Sequence, residues 1–333
     1  MLRFLLQRAI GMLVTMFFVS IMVFVIMELP PGDYADRYAF KKYGTGGQTI
    51  TESDMENIRA RFGLDRPAHE RYLSWIGGIV TRGDFGQSYA FETSVNEVIG
   101  QRIWLTLALL FATLLLTYAI SIPIGIYAAV RRQSVADYSL SVVSYLGLAL
   151  PNFMLALIML YAGVKFFGTT VGGLFSPEYE EAPWSFAKLV DLFSHLWIPA
   201  VVLAWSATAF QLQTVRATML DELNKLSVTA ARARGLPEWK LLLKYPARLA
   251  INPVVSTIGF DVNRIFSELP IVALVLALPE LGELLLKSFI DLDMYVAGAV
   301  LLILTFLIVF MNFIGDILLA MLDPRIKLEG GER

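Results

Sequence analysis

The 333-residue sequence contains no cysteine and only two histidines, His69 and His195. Without cysteine there is no disulfide framework, no thiol nucleophile and no Cys-ligated metal. Two histidines far apart in sequence do not make a His-rich metal site. Charge is scarce as well: Asp, Glu, Lys and Arg make up 17% of the chain, with a net charge of −2. Soluble domains run at about 25% charged residues, so a soluble enzyme is disfavoured. The near-neutral balance disfavours a nucleic-acid-binding surface, and the low charge argues against disorder. A Gly-x-x-x-x-Gly-Lys-Ser/Thr phosphate loop is absent too, and Gly44-Thr45-Gly46-Gly47 lacks the surroundings of one.

What fills the sequence instead is apolar. Hydrophobic residues account for 56% of it, and mean hydropathy is +0.62. A bilayer core needs about 20 apolar helical residues. Charge-free runs of about that length lie at 9–27, 103–130, 138–164, 196–215 and 294–315. A sixth span is expected at 251–278, although it carries Asp261, Arg264 and Glu268; a re-entrant or surface segment is the alternative. The first run lacks a small-residue cleavage pattern and reads as a retained anchor rather than a signal peptide.

Six spans place the N-terminus, 131–137, 216–250 and the C-terminal tail on one side. Those segments hold most of the short-loop basic residues, among them Arg3, Arg8, Arg131, Arg132, Arg216, Arg232 and Arg234. The opposite loops, 165–195 and 279–293, hold Lys165, Lys188 and Lys287 among many acidic residues. The positive-inside rule then makes both termini cytoplasmic. The organisation expected is an N-terminal transmembrane helix at 1–29 and an external segment at 30–102. A five-span core follows at 103–320, with a cytoplasmic loop at 216–250, and then a tail at 321–333. Within the external segment, a helix is predicted over 51–61 with Ser53 as cap, Glu56 three residues on and Gly63 as stop. A second, amphipathic helix is predicted over 71–80 on the membrane surface.

The 216–250 loop carries the most specific pattern. Ser227 to Pro237 reads as a short helix: Ser227 at its start, then Thr229, Ala230, Ala231 and Ala233. Arg232 and Arg234 favour its C-terminal end, Gly235 stops it in the left-handed region, and Pro237 follows Leu236. So short a helix needs a surface to dock on. That surface is either a partner or the chain's own transmembrane helices.

In the fifth span counted along the chain, Asp261, Arg264 and Glu268 share one helix face, so Arg264 could neutralise both carboxylates. Charges at that depth cost at least about 2.5–3.5 kcal/mol unless paired or wetted. The face either lines a translocation path or gate, or forms an internal ion network that fixes packing. Asn152 follows Pro151 in the third span, where a kink is expected. Gln211, Gln213 and Thr214 are explained by proximity to the cytoplasmic surface.

The pattern Thr229-Ala230-Ala231-x-x-x-Gly235 resembles the EAA loop of permease subunits in ATP-binding-cassette importers, with Thr229 where many carry Glu. The wider sequence is similar to the dipeptide/oligopeptide/nickel permease family. The resemblance rests on Leu29-Pro30-Pro31-Gly32-Asp33, Phe62-Gly63-Leu64-Asp65-Arg66-Pro67 and Gly83-Asp84-Phe85-Gly86-Gln87-Ser88. It continues through Leu278-Pro279-Glu280-Leu281-Gly282, Asp293-Met294-Tyr295 and Leu322-Asp323-Pro324-Arg325. Tyr245, Leu249 and Glu268-Leu269-Pro270 depart from the family pattern and leave the branch, and so the substrate, open.

The resemblance implies an all-α, six-helix permease of the type I importer fold with an external segment between helices 1 and 2, in the inner (cytoplasmic) membrane. It implies a second homologous permease subunit, two ATPase subunits and an external substrate-binding protein as partners. ATP and Mg would be bound in the ATPase subunits rather than in this chain, which would itself hydrolyse nothing. Residues 229–232 and 234–237 would couple to an ATPase. The cargo implied is peptides, with oligosaccharides, opines or nickel complexes as alternatives. A stand-alone secondary transporter or channel using the Asp261/Arg264/Glu268 face is the rival class.

Overall fold

The computed structural model describes residues 2–29, 52–62, 64–88, 90–168, 172–180 and 182–322. The 30–33 turn, the 44–47 stretch, the Gly63 stop and the 323–325 motif lie outside them. In chain order the described helices are α1 (Leu2–Glu28), α2 (Glu52–Phe62), α3 (Ala68–Arg82), α4 (Val95–Val130), α5 (Val135–Ala149), α6 (Asn152–Ala162) with a π turn at Gly163–Phe167, and α7 (Phe186–Leu223). They continue with α8 (Leu226–Ala233), α9 (Glu238–Lys244), α10 (Pro246–Ala250), α11 (Asn252–Ser256), α12 (Ile258–Leu276), α13 (Leu281–Ile290) and α14 (Met294–Leu322). The fold is all-α; the extended pairing among the described residues is one isolated bridge, Gln87 with Ser94.

Four helices, α1, α4, α7 and α14, are each long and apolar enough to cross a bilayer. Two further spans are reached only by pairing helices: α5 with α6, bent by 102°, and α12 with α13, bent by 81°. The expected kink at Pro151 is therefore a full break. Leu150 is extended (φ −91, ψ 123) and Pro151 follows at ψ 140. A residue before proline is driven out of the helical region, and proline brings no N–H to continue the ladder. The span expected from residue 251 starts later. Pro246 and Pro253 each open a five-residue helix, and α12 begins only at Ile258. Its 19 residues reach about 28 Å at 1.5 Å each.

The chain divides into two compact units, one comprising 1–10, 107–279 and 308–333, the other 11–106 and 280–307. In the first, α7 is the central post, with α5, α6, α10, α11 and α12 packed against it. Small residues set the approach: a Cβ added at Gly147 of α5 would lie 2.8 Å from the Cβ of Ala209 on α7.

In the second unit, α3 packs on the Glu28 end of α1 and the start of α14 through Val23, Phe24, Trp75 and Leu302. Tyr72 Oη hydrogen-bonds Ser20 Oγ at 2.8 Å, and Arg71 pairs with Glu28 at 2.5 Å. The helix expected over 71–80 is longer, Ala68–Arg82, and stops where Gly83 turns left-handed (φ 66). α2 begins at Glu52, one residue before Ser53, the residue expected to cap it.

Candidate functional site

The loop after α7 folds into a small helical hairpin, α8 and α9. Ser227 does not cap it. α7 continues to Leu223, and after Asn224 the extended N-cap position falls on Lys225 (φ −74, ψ 147), one turn boundary earlier than the hydroxyl. The stop is where the sequence puts it. Gly235 is left-handed (φ 74), and its N–H donates to Arg232 O at 3.0 Å. A glycine takes that conformation without the steric cost of a Cβ. Pro237 then opens α9.

Val228 and Ala231 of α8 close on Leu241 of α9, flanked by Leu236, Leu242 and Tyr245. Ala231 is fully buried and supports the helix from beneath. Thr229, Ala230, Arg232, Arg234, Gly235 and Pro237 are exposed. Arg232 reaches across the hairpin to Glu238, with Nε donating to Oε2 at 3.1 Å and Nη2 to Oε1 at 2.5 Å. The Arg232 hydrogen bonds hold the Glu238 carboxyl below the usual range. Both side chains are about half exposed, so the pair fixes geometry more than it adds stability. Three large apolar side chains that sequence reading passed over, Leu226, Trp239 and Leu243, stand 86%, 62% and 61% exposed on this hairpin.

The intramembrane residues gather in two adjoining sets. Asp261 is fully buried, and its Oδ2 accepts from Tyr118 Oη at 2.8 Å and from Gln211 Nε2 at 2.5 Å. Gln211 also donates to Thr257 Oγ1 at 2.9 Å. It is therefore an interior bridge rather than a residue at the wetted end of α7. Asn152 is buried and donates from Nδ2 to Leu203 O at 3.2 Å and Ser206 Oγ at 3.3 Å. Arg264 Nη1 donates to Ser206 O at 3.3 Å, and Glu268 also lies within reach of Ser206.

Among the described residues, Arg264 forms no ion pair with Asp261 or Glu268, although the spacing permits one. Tyr118 and Gln211 reach Asp261 first from α4 and α7. The guanidinium instead lies over the Phe210 and Phe260 rings, at 4.9 and 5.2 Å from their centroids, where the ring quadrupoles take the charge. Tyr118 and Ser206 carried no sequence signal; a lone hydroxyl in an apolar run reveals its partner only through packing. Among the described residues, no cluster of three acidic or histidine side chains is placed to hold a metal ion.

Residues 121–328 match the family described as binding-protein-dependent transport system inner membrane component, and residues 1–110 match the N-terminal family of the same membrane components. A Brucella ovis protein named as a peptide permease is 34% identical over 333 residues, covering 98% of this chain and 100% of the relative. The oligopeptide transport system permease protein AppB of Bacillus subtilis is 33% identical over 329 residues, again 98% of this chain and 100% of the relative. Matches of this extent leave no part of the core outside the likeness, and the chain belongs to the family of binding-protein-dependent transport system inner membrane components.

Proposed function

We propose that this chain is one of two transmembrane subunits of an ATP-binding-cassette importer for peptides in the inner membrane, with both termini cytoplasmic. A second, homologous permease completes the pore, two ATPase subunits bind ATP and Mg on the cytoplasmic face, and an external binding protein delivers the cargo. Peptides are favoured because the relatives just described carry that cargo in their names. The observation that carries the coupling role is the α8–α9 hairpin. It presents Thr229, Ala230, Arg234 and Gly235 outward beside Leu226, Trp239 and Leu243, a small-residue and apolar surface that a partner would cover.

Movement of that hairpin on ATP binding shifts α7, which ends two residues before it, and with α7 the polar sets around Ser206 and Gln211. The path or gate falls on the flank of α12 that carries half-buried Arg264 and Glu268 beside exposed Asn263 and Ser267. Asp261 and Asn152 stand behind that flank and hold it in place.

Gly235→Val tests the coupling role. Valine at that backbone conformation is strained by about 1–2 kcal/mol or more, which distorts the end of α8. Uptake is expected to fail, and ATPase activity to lose its response to loaded binding protein, while that protein still binds peptide. Normal uptake by the variant would defeat the coupling assignment. Purification of the chain without any ATPase subunit from its native membrane would favour a transporter that works alone.

A further inference from the structure

Beside α3 lies a cavity of about 190 Å³ lined by Arg66, Arg71 and Arg82 against Asp84; Arg71 is also paired with Glu28, which leaves Arg66 and Arg82 against one carboxylate. The spacing that builds it is helical. Arg71, Trp75, Gly78 and Arg82 follow one another at four, three and four residues, along a single stripe of α3. Gly78 provides the room: a Cβ there would sit 3.2 Å from Asp84 O and 3.6 Å from Arg82 Nη2. Among the described residues, two buried donors at the cavity, Trp75 Nε1 and Arg71 Nε, have no hydrogen-bond partner. Trp75 is only 7% exposed, so its indole N–H is withdrawn from bulk water. Asp84 Oδ1 accepts from Gly86 N–H at 2.9 Å. Unpaired N–H donors converging with excess positive charge suit a tetrahedral oxyanion.

The depth of the cavity says which oxyanion. α3 rests on Phe24 and Leu302, which lie about 6 Å and 12 Å along the axis from the nearer ends of α1 and α14. That is the level of the headgroups and the first carbons of the acyl chains. On the flank of α3, Leu73 and Val80 stand 63% and 77% exposed, seven residues apart. An interfacial helix sinks such a stripe among acyl chains and keeps its basic residues at the phosphates. We infer that this cavity binds the phosphate of an anionic phospholipid in the leaflet that meets the Glu28 end of α1, the outer leaflet in the proposed orientation. The site stands on the spanning of α1 and α14 and is independent of the coupling hairpin.

The intact transporter, wild type and R66Q/R82Q, is exchanged into phosphatidylcholine nanodiscs doped with phosphatidylglycerol. Lipid surviving extraction is then counted by native mass spectrometry. Both arginines are exposed, so the variant is expected to assemble. Wild type should retain phosphatidylglycerol about 25-fold better than the variant, at roughly fivefold for each of the two basic residues near the surface. R66K/R82K should keep most of that retention, and inorganic phosphate should not displace the lipid. Equal retention by wild type and variant overturns the inference. Displacement by inorganic phosphate overturns it in favour of a small-anion site. Unchanged lipid with weakened association of the binding protein overturns it in favour of an acidic docking partner. Retention is read without uptake, so failure of the transport assignment would leave this result standing.

Discussion

Arg216 of α7 grips Asp137 of α5 with two parallel hydrogen bonds, Nε to Oδ1 at 2.6 Å and Nη2 to Oδ2 at 2.9 Å. Asp137 is 2% exposed and also accepts from Gln133 N–H at 2.9 Å. Removing one partner of a buried pair leaves the other charge stranded, at about 3–5 kcal/mol. Arg216→Met is expected to fall toward the low end of that range, because the guanidinium is partly exposed. The double variant D137L/R216M should recover much of the loss. Thermal unfolding of the purified transporter measures both; a recovery no better than additive would mean that the pair does not act as a unit.

Gly147→Val is expected to separate α5 from α7. Its side chain would have to enter the space held by Ala209, and overpacking of this kind costs about 1–3 kcal/mol. Combined with A209G, which vacates that space, the loss should shrink. Expression level and melting temperature report it, and unchanged melting in G147V would show that the two helices yield freely.

Tyr118→Phe deletes one donor to Asp261 and leaves Gln211 as its remaining side-chain donor. Weakening a buried carboxylate's hydrogen-bond set costs about 1–3 kcal/mol. Gln211→Leu removes the other donor together with the link to Thr257, and is expected to cost more. If both variants melt like wild type, water reaches Asp261 and the site is wetter than its burial indicates.

The apolar runs made the long spans legible, because a stretch of lipid-facing residues needs no tertiary information. The end of α8 was legible for a similar reason: Gly235 and Pro237 act through local backbone geometry. Helix starts were harder. Ser227 and Ser53 are good caps in isolation, yet α8 and α2 begin one or more residues earlier. α7 and α4 also overran their apolar windows, since charges at a wetted helix end do not stop the backbone ladder. The largest gap was in the interior. Asp261 and Arg264 share a face on α12, and spacing alone paired them. The donors that reach Asp261 come instead from Tyr118 and Gln211 on other helices, and the partners of Arg264 are aromatic rings. Contacts between distant segments leave no period in the sequence.

α7 runs from Phe186 to Leu223 with Pro199 inside it, and its proline-free part after Pro199 is about 36 Å long at 1.5 Å per residue. Ser206 and Gln211, which tie the buried polar groups together, lie on that part with Arg216 and the entrance to the α8–α9 hairpin. A proline-free helix passes a twist along its length, so one imposed at the hairpin would reach the contacts of Asn152, Arg264 and Asp261 together instead of one at a time.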